Sequence, residues 1–149
     1  MLHENPVYQM LQRAKRMSAT QAWVSAFVDN KQLQDEVLKR VKSRLTEKGT
    51  NDKGKVIGTY SPFTEKVNRK KRAGSHYTLF DTGEFYQSLY IGALSDYFFI
   101  DGDGDKGKEN LFTKFGDGII GLTEEDKDWL GEKVIEKYYE YAREVLQRD

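Results

Sequence analysis

Cysteine is absent from the 149 residues, and histidine occurs only at His3 and His76. Without thiols there are no disulfides and no thiolate metal ligands. Two histidines so far apart are too few for a zinc site, so neither a metal nor a cofactor is expected. No apolar run approaches the roughly 20 residues that cross a bilayer. The start of the chain lacks the apolar stretch of a secretion signal. The expectation is a soluble chain made in a cytoplasm, with no membrane partner. Charge of one sign is also missing: 24 Lys and Arg balance 24 Asp and Glu. Zero net charge argues against a dedicated nucleic-acid binder, whose domains run strongly basic. No Gly-rich phosphate loop follows a strand, no Ser/His/Asp set is present and no carboxylate pair stands out. The expectation is a protein that is not an enzyme.

What is present suits one domain over 1–149. Apolar residues make up 38% and charged residues 32%, with aromatics at 13%. So many aromatics in so polar a chain serve either a core of Tyr and Phe or a protein interface.

The order along the chain predicts an α+β domain, an antiparallel sheet packed by an N-terminal helical segment and a long C-terminal helix. Residues 5–49 read as helical. Asn5 caps, Pro6 opens the first helix, and Val7, Met10, Leu11 and Ala14 repeat at helical spacing. Farther on, Leu33, Val37, Val41 and Leu45 recur at i, i+4 and Gly49 supplies a stop. Residues 50–78 are a strand and arm region, with a strand over Val56 to Tyr60 that Ser61-Pro62 ends. Residues 79–101 hold a short helix and a hairpin, and 102–122 a loop. The C-terminal helix spans 123–148, with Thr123 as cap, Asp126 three residues on, and a stripe of Leu130, Val134, Tyr138, Tyr141 and Val145.

"LFDTGEFYQSL", residues 79–89, contains Asp81-Thr82-Gly83 and resembles an aspartic-protease loop; "GIIG" (Gly118 to Gly121) resembles the element that backs one. That chemistry needs two carboxylates sharing a proton, so two chains would have to pair. Another reading accounts for more residues. With Asp81 as N-cap of a helix over 82–89, Glu84 falls at the third position and completes a capping box. Phe80 and Phe85 then occupy the positions of a hydrophobic staple.

"DGDGDKGKEN" places Asp101, Asp103 and Asp105 like the first ligands of a calcium loop. Lys106 and Phe112 stand where such a loop needs Gly and Glu, so a solvated loop is expected. Lys66, Arg69, Lys70, Lys71 and Arg72 put five cations into seven positions. They form either a partner-facing loop or, as the alternative function, a nucleic-acid contact. Residues 124–149 carry nine acids against five bases. A basic loop and an acidic helix allow copies to join head to tail.

The middle of the chain is similar to the virion-morphogenesis and tail-completion (neck, head–tail joining) proteins of tailed bacteriophages. The elements that carry the likeness are a turn at Asp52, the aromatic Tyr60 followed by Ser61, Pro62 and Thr64, the basic run, and Leu79-x-Asp81-Thr82-Gly83 with Ser88 five residues beyond the glycine. They fall in order within about residues 45–148. The resemblance implies a structural, non-catalytic virion protein that meets its own copies in a ring and neighbouring neck or tail proteins, passes through the host cytoplasm during assembly, and touches DNA at most incidentally. It also implies that residues 65–76 form a mobile arm that orders on assembly.

Overall fold

The computed structural model describes residues 5–147; His3 and position 148 of the expected C-terminal helix lie outside them. The architecture is α+β. Among the described residues, seven α-helices and one antiparallel pair of strands follow in the order α1 (Pro6–Lys15), α2 (Ala19–Trp23), α3 (Lys31–Glu47), α4 (Pro62–Val67), α5 (Glu84–Ser88), β1 (Tyr90–Ala93), β2 (Phe98–Asp101), α6 (Leu111–Phe115) and α7 (Glu124–Gln147). No helix among the described residues is long and apolar enough to cross a membrane.

The i, i+4 stripe of α3 organises the interior. Its N-terminal half, Leu33 and Val37, packs with Phe27 and Leu130. Its C-terminal half, Val41 and Leu45, packs with Phe85, Tyr86, Leu89, Leu111, Ile119 and Ile120. Ile100 and Leu122 touch both groups, so one helix joins two small cores. The strands pair in register from Tyr90↔Asp101 to Ala93↔Phe98. Period-two alternation gives the hairpin two faces. Ile91, Ala93, Phe98 and Ile100 meet the α3 and α7 core, while Tyr90, Leu94, Tyr97 and Phe99 are exposed.

Helix ends follow local chemistry. Asn5 accepts from the Val7 N–H, and Ser18 from that of Gln21. Between α2 and α3 the chain makes a π-helical turn, Val24–Val28. The buried Gln34 amide donates to its last carbonyls, Phe27 O and Val28 O, at 2.9 Å each. α3 stops at Gly49, whose φ of 57° lets its N–H turn back to Arg44 O.

A buried arginine ties the far end together. Arg44 donates through Nε to Thr50 O (3.0 Å) and through its two terminal nitrogens to Gly121 O (2.7 Å) and Ile119 O (2.9 Å). Burial lowers its pKa, opposed by the charges of Asp126 and Asp52. Asp126, in the first turn of α7, lies 2.7 Å from Arg40 Nε and 3.7 Å from Arg44. Burial alone would raise its carboxyl; hydrogen bonds from Arg40 and Thr123, with the charge of Arg40, outweigh that and hold it below the usual range. Thr123 caps α7 by accepting the Asp126 N–H at 3.1 Å.

Three expectations fail in the middle of the chain. Residues 102–122 are not loop throughout: they hold α6 and a 3-10 turn, Asp117–Ile119. Val56 to Tyr60 is not a strand but a run touched by isolated bridges, Thr50↔Val56 and Thr59↔His76. Ser61-Pro62 does not end an element; it starts α4, with Ser61 as cap and Pro62 in the first turn, where a missing N–H costs nothing.

Candidate assembly site

The residues singled out between Tyr60 and Ser88 gather around one feature, an arm on a two-sided stem. Tyr60 N–H donates to Ser75 O (2.9 Å), Gly74 N–H to Tyr60 O (2.9 Å) and Tyr77 N–H to Gly58 O (2.8 Å). Residues 61–73 are thereby looped out as the tip. Inside the tip, Ser61 Oγ accepts the Thr64 N–H at 3.2 Å and lies 3.1 Å from the Thr64 hydroxyl. Glu65 accepts the Ala73 N–H at 2.8 Å, closing the loop on itself. Residues 65–76, expected as a mobile arm, are here the end of α4 and a sequence of bonded turns.

Aromatic contacts seat the stem. Tyr60 meets the edge of Tyr77 at 4.8 Å, and Tyr77 the edge of Phe115 at 5.9 Å. The five cations divide. Lys71 folds back, 5.7 Å from the Tyr60 ring centre and 3.5 Å from Asp81 Oδ1, whereas Lys66, Arg69, Lys70 and Arg72 are exposed. The tip also exposes two apolar side chains, Phe63 at 75% and Val67 at 74%.

The Asp81 loop differs from its expected form. α5 begins at Glu84 with Gly83 in the cap position, so Asp81 is not the cap and Glu84 is too early to close a capping box. The reason is backbone. Leu79 (φ 56°) and Gly83 (φ 87°) both take the left-handed region and turn the chain twice before the helix starts. Thr82 Oγ1 receives the Glu84 N–H instead, at a long 3.4 Å. The staple is also redrawn: Phe80 rests edge-on against Tyr86 at 5.4 Å, while Phe85 is buried. Asp81 is 70% exposed and faces Lys71. Gly118 and Gly121 do not back it. They lie against Asp52, where a Cβ would come within 2.5 and 2.7 Å of its carboxylate oxygens.

Two further residues anchor the loop. The Tyr86 hydroxyl, whose pKa burial raises against a hydrogen bond with Thr46, donates to Thr78 O and lies 3.1 Å from the Thr46 hydroxyl. Ser88 Oγ donates to Phe85 O (2.7 Å) and accepts the Asp103 N–H (2.9 Å), fixing the end of α5 to the glycine-rich loop. In that loop the carboxylates of Asp101, Asp103 and Asp105 accept the N–H groups of Gly102, Asp105 and Gly107. No group of three or more potential metal ligands converges among the described residues.

Sequence reasoning missed the roles of Tyr77, Tyr86 and Arg44. A Ser-Pro-x-Thr reading as helix start would have found α4. Nothing local marks an arginine that binds carbonyls 75 and 77 residues away. No family model, curated protein or solved structure matches the chain.

Proposed function

We propose that the chain is a structural protein of a tailed bacteriophage, forming a ring at the head–tail junction or completing the tail through contacts with its own copies and with neck or tail proteins. The observation that carries the assembly part is surface. The chain exposes 10364 Å², whereas a compact monomer of 17.3 kDa exposes about 7,800 Å². The excess is not merely polar: Phe63, Val67, Phe80, Tyr90, Tyr97, Phe99, Ile135 and Tyr139 are all more than two-fifths exposed. Its grouped parts are Phe63 and Val67, at i, i+4 on the tip, and Tyr90 against Phe99 at 6.2 Å on the hairpin, and grouped apolar surface is what another chain would cover. The phage part rests on the ordered set Tyr60-Ser61-Pro62-x-Thr64, the basic run, Asp81-Thr82-Gly83 and Ser88. Its place is the virion, reached through the host cytoplasm.

In a tailed phage carrying this gene, a nonsense allele should leave filled heads and tails unjoined, or tails unfinished, in electron micrographs, with infectivity restored by the wild-type chain in trans. Infectious particles at normal yield without the protein refute the reading. One observation favours a second reading: Lys66, Arg69, Lys70 and Arg72 all stand exposed on the arm. A nucleic-acid contact there predicts duplex binding whose affinity falls steeply with salt and disappears when the four are neutralised.

A further inference from the structure

We infer that the apolar groove between β2 and α7 receives the outer face of α1 from a second copy of the chain. This rests on the ring reading and names one contact within it. The groove encloses about 800 Å³ and is walled by Trp23, Phe98, Ile120, Leu122, Leu130 and Val134. Gly131 also lines it, in the N-terminal third of α7. Glycine inside a helix weakens it relative to alanine, so a reason for its smallness is needed. Its own chain provides none: nothing lies within 4 Å of where a Cβ would stand. A bare stretch of helix backbone on the wall of an apolar groove suits close approach by another helix.

α1 has the complementary form. None of its residues is buried, and Val7, Met10 and Leu11 are 64%, 50% and 55% exposed. Their i, i+3, i+4 spacing is that of anchors in helix-in-groove recognition. The helix is already held on its own α7, where Arg13 donates to Leu146 O at 2.7 Å, so its outer stripe is presented without refolding. Val7 to Ala14 covers about 10 Å along an axis, as does Lys127 to Val134 on the groove wall. Charge agrees as well. Residues 5–18 contain no acid and carry Arg13, Lys15 and Arg16, while Asp101 and Asp117 line the groove with Lys127, and Glu124 and Asp128 follow on exposed positions of α7. Stripe and groove are different patches of one chain, so the contact is heterologous and closes into a ring when the rotation allows.

The absence of cysteine makes the test direct. Leu11→Cys in one preparation and Val134→Cys in another, distinguished by mass, are mixed and mildly oxidised. A disulfide-linked pair should form, at about tenfold or higher yield than when Lys39→Cys, exposed on α3, replaces the Val134 variant. Equal yields, or none, overturn the inference. Gly131→Gln should leave the chain's own unfolding midpoint unchanged or raised, since glutamine is the better helix former, yet weaken self-association about tenfold; unchanged association overturns the contact. Light scattering on the same samples separates the two levels. Oligomers without the Leu11–Val134 crosslink remove this contact and leave the ring; a chain monomeric at all concentrations removes both.

Discussion

Replacing Arg44 by methionine sets two large effects against each other. Methionine relieves the cost of burying a guanidinium, and apolar replacement of a buried ion pair is neutral or stabilising in some proteins. Here, however, the acceptors remain. Thr50 O, Ile119 O and Gly121 O lose their donor, and each buried acceptor left bare costs about 1–3 kcal/mol. Two of the three bonds are only partly buried, so water recovers some of that. Asp126 keeps Arg40 at 2.7 Å. The balance is a loss of about 4 kcal/mol, large against the 5–15 kcal/mol of a typical domain. Arg44→Lys, able to satisfy one carbonyl but not the fork, should lose about half as much. Urea unfolding followed by far-UV circular dichroism measures both; at a slope of about 2 kcal/mol per molar the methionine variant should unfold about 2 M earlier. Trp129, stacked 4.5 Å from Arg40, adds a local fluorescence readout. A loss below about 1 kcal/mol for Arg44→Met would show that the carbonyls rehydrate freely and that Arg44 does not hold the 118–121 turn.

Asp126→Asn should cost about 2 kcal/mol at pH 7 by unpairing Arg40 and loosening Arg44. Because the folded carboxyl titrates below its ordinary value, this stability is present above the unfolded pKa of about 4 and is lost as pH falls through the lower folded value. The difference between wild type and variant should therefore shrink from pH 7 to pH 3 in paired urea titrations. Asp81→Ala, which removes only an exposed ion pair, should cost under about 0.5 kcal/mol. Ser61→Ala, which uncaps α4, should cost about 1 kcal/mol, and the reverse order in thermal or urea midpoints would restore Asp81 as a cap. Tyr86→Phe should lose about 1–2 kcal/mol by leaving Thr78 O without its donor, measured as a midpoint shift with unchanged circular dichroism.

The parts of the fold written in local chemistry were legible. Asn5-Pro6 opens α1, the Leu33 to Leu45 stripe marks α3, and Thr123 with Asp126 starts α7 as spacing predicts. The hairpin strands also read correctly, as two apolar runs on either side of a tight turn; β2 alternates half-buried and exposed residues, whereas β1 is exposed only at Tyr90. The failures have separate causes. At Asp81 a sound capping pattern is overridden by two left-handed residues, and Leu79 has no business there on propensity alone. The Val56 to Tyr60 run looks like a strand, but it makes isolated bridges rather than a ladder. Arg44 was illegible because its partners are backbone atoms, and carbonyls leave no mark in a sequence. For the candidate site, the residue set was visible while the geometry uniting it was not.

That geometry changes what the motif residues are for. Tyr60 builds the stem and receives Lys71, Ser61, Pro62 and Thr64 start the helix of the tip, and Thr82 and Gly83 position α5. Ser88 locks its end to the Asp103 loop. Every one of these jobs is internal to the chain, and none leaves a polar group aimed at a ligand. The side chains that face outward on the same feature are different ones: Phe63 and Val67, with Lys66, Arg69, Lys70 and Arg72. If the arm serves assembly, substitutions should separate accordingly. Ser61→Ala or Tyr60→Ala should lower the stability of the free chain and displace the tip. Phe63→Ser or Val67→Ser, which strip exposed apolar surface, should leave the unfolding free energy within about 0.5 kcal/mol of wild type while weakening co-sedimentation with copies or partner proteins. A tip variant that unfolds early yet assembles normally would mean that Phe63 and Val67 serve the fold, and that the arm is not where the protein meets its neighbours.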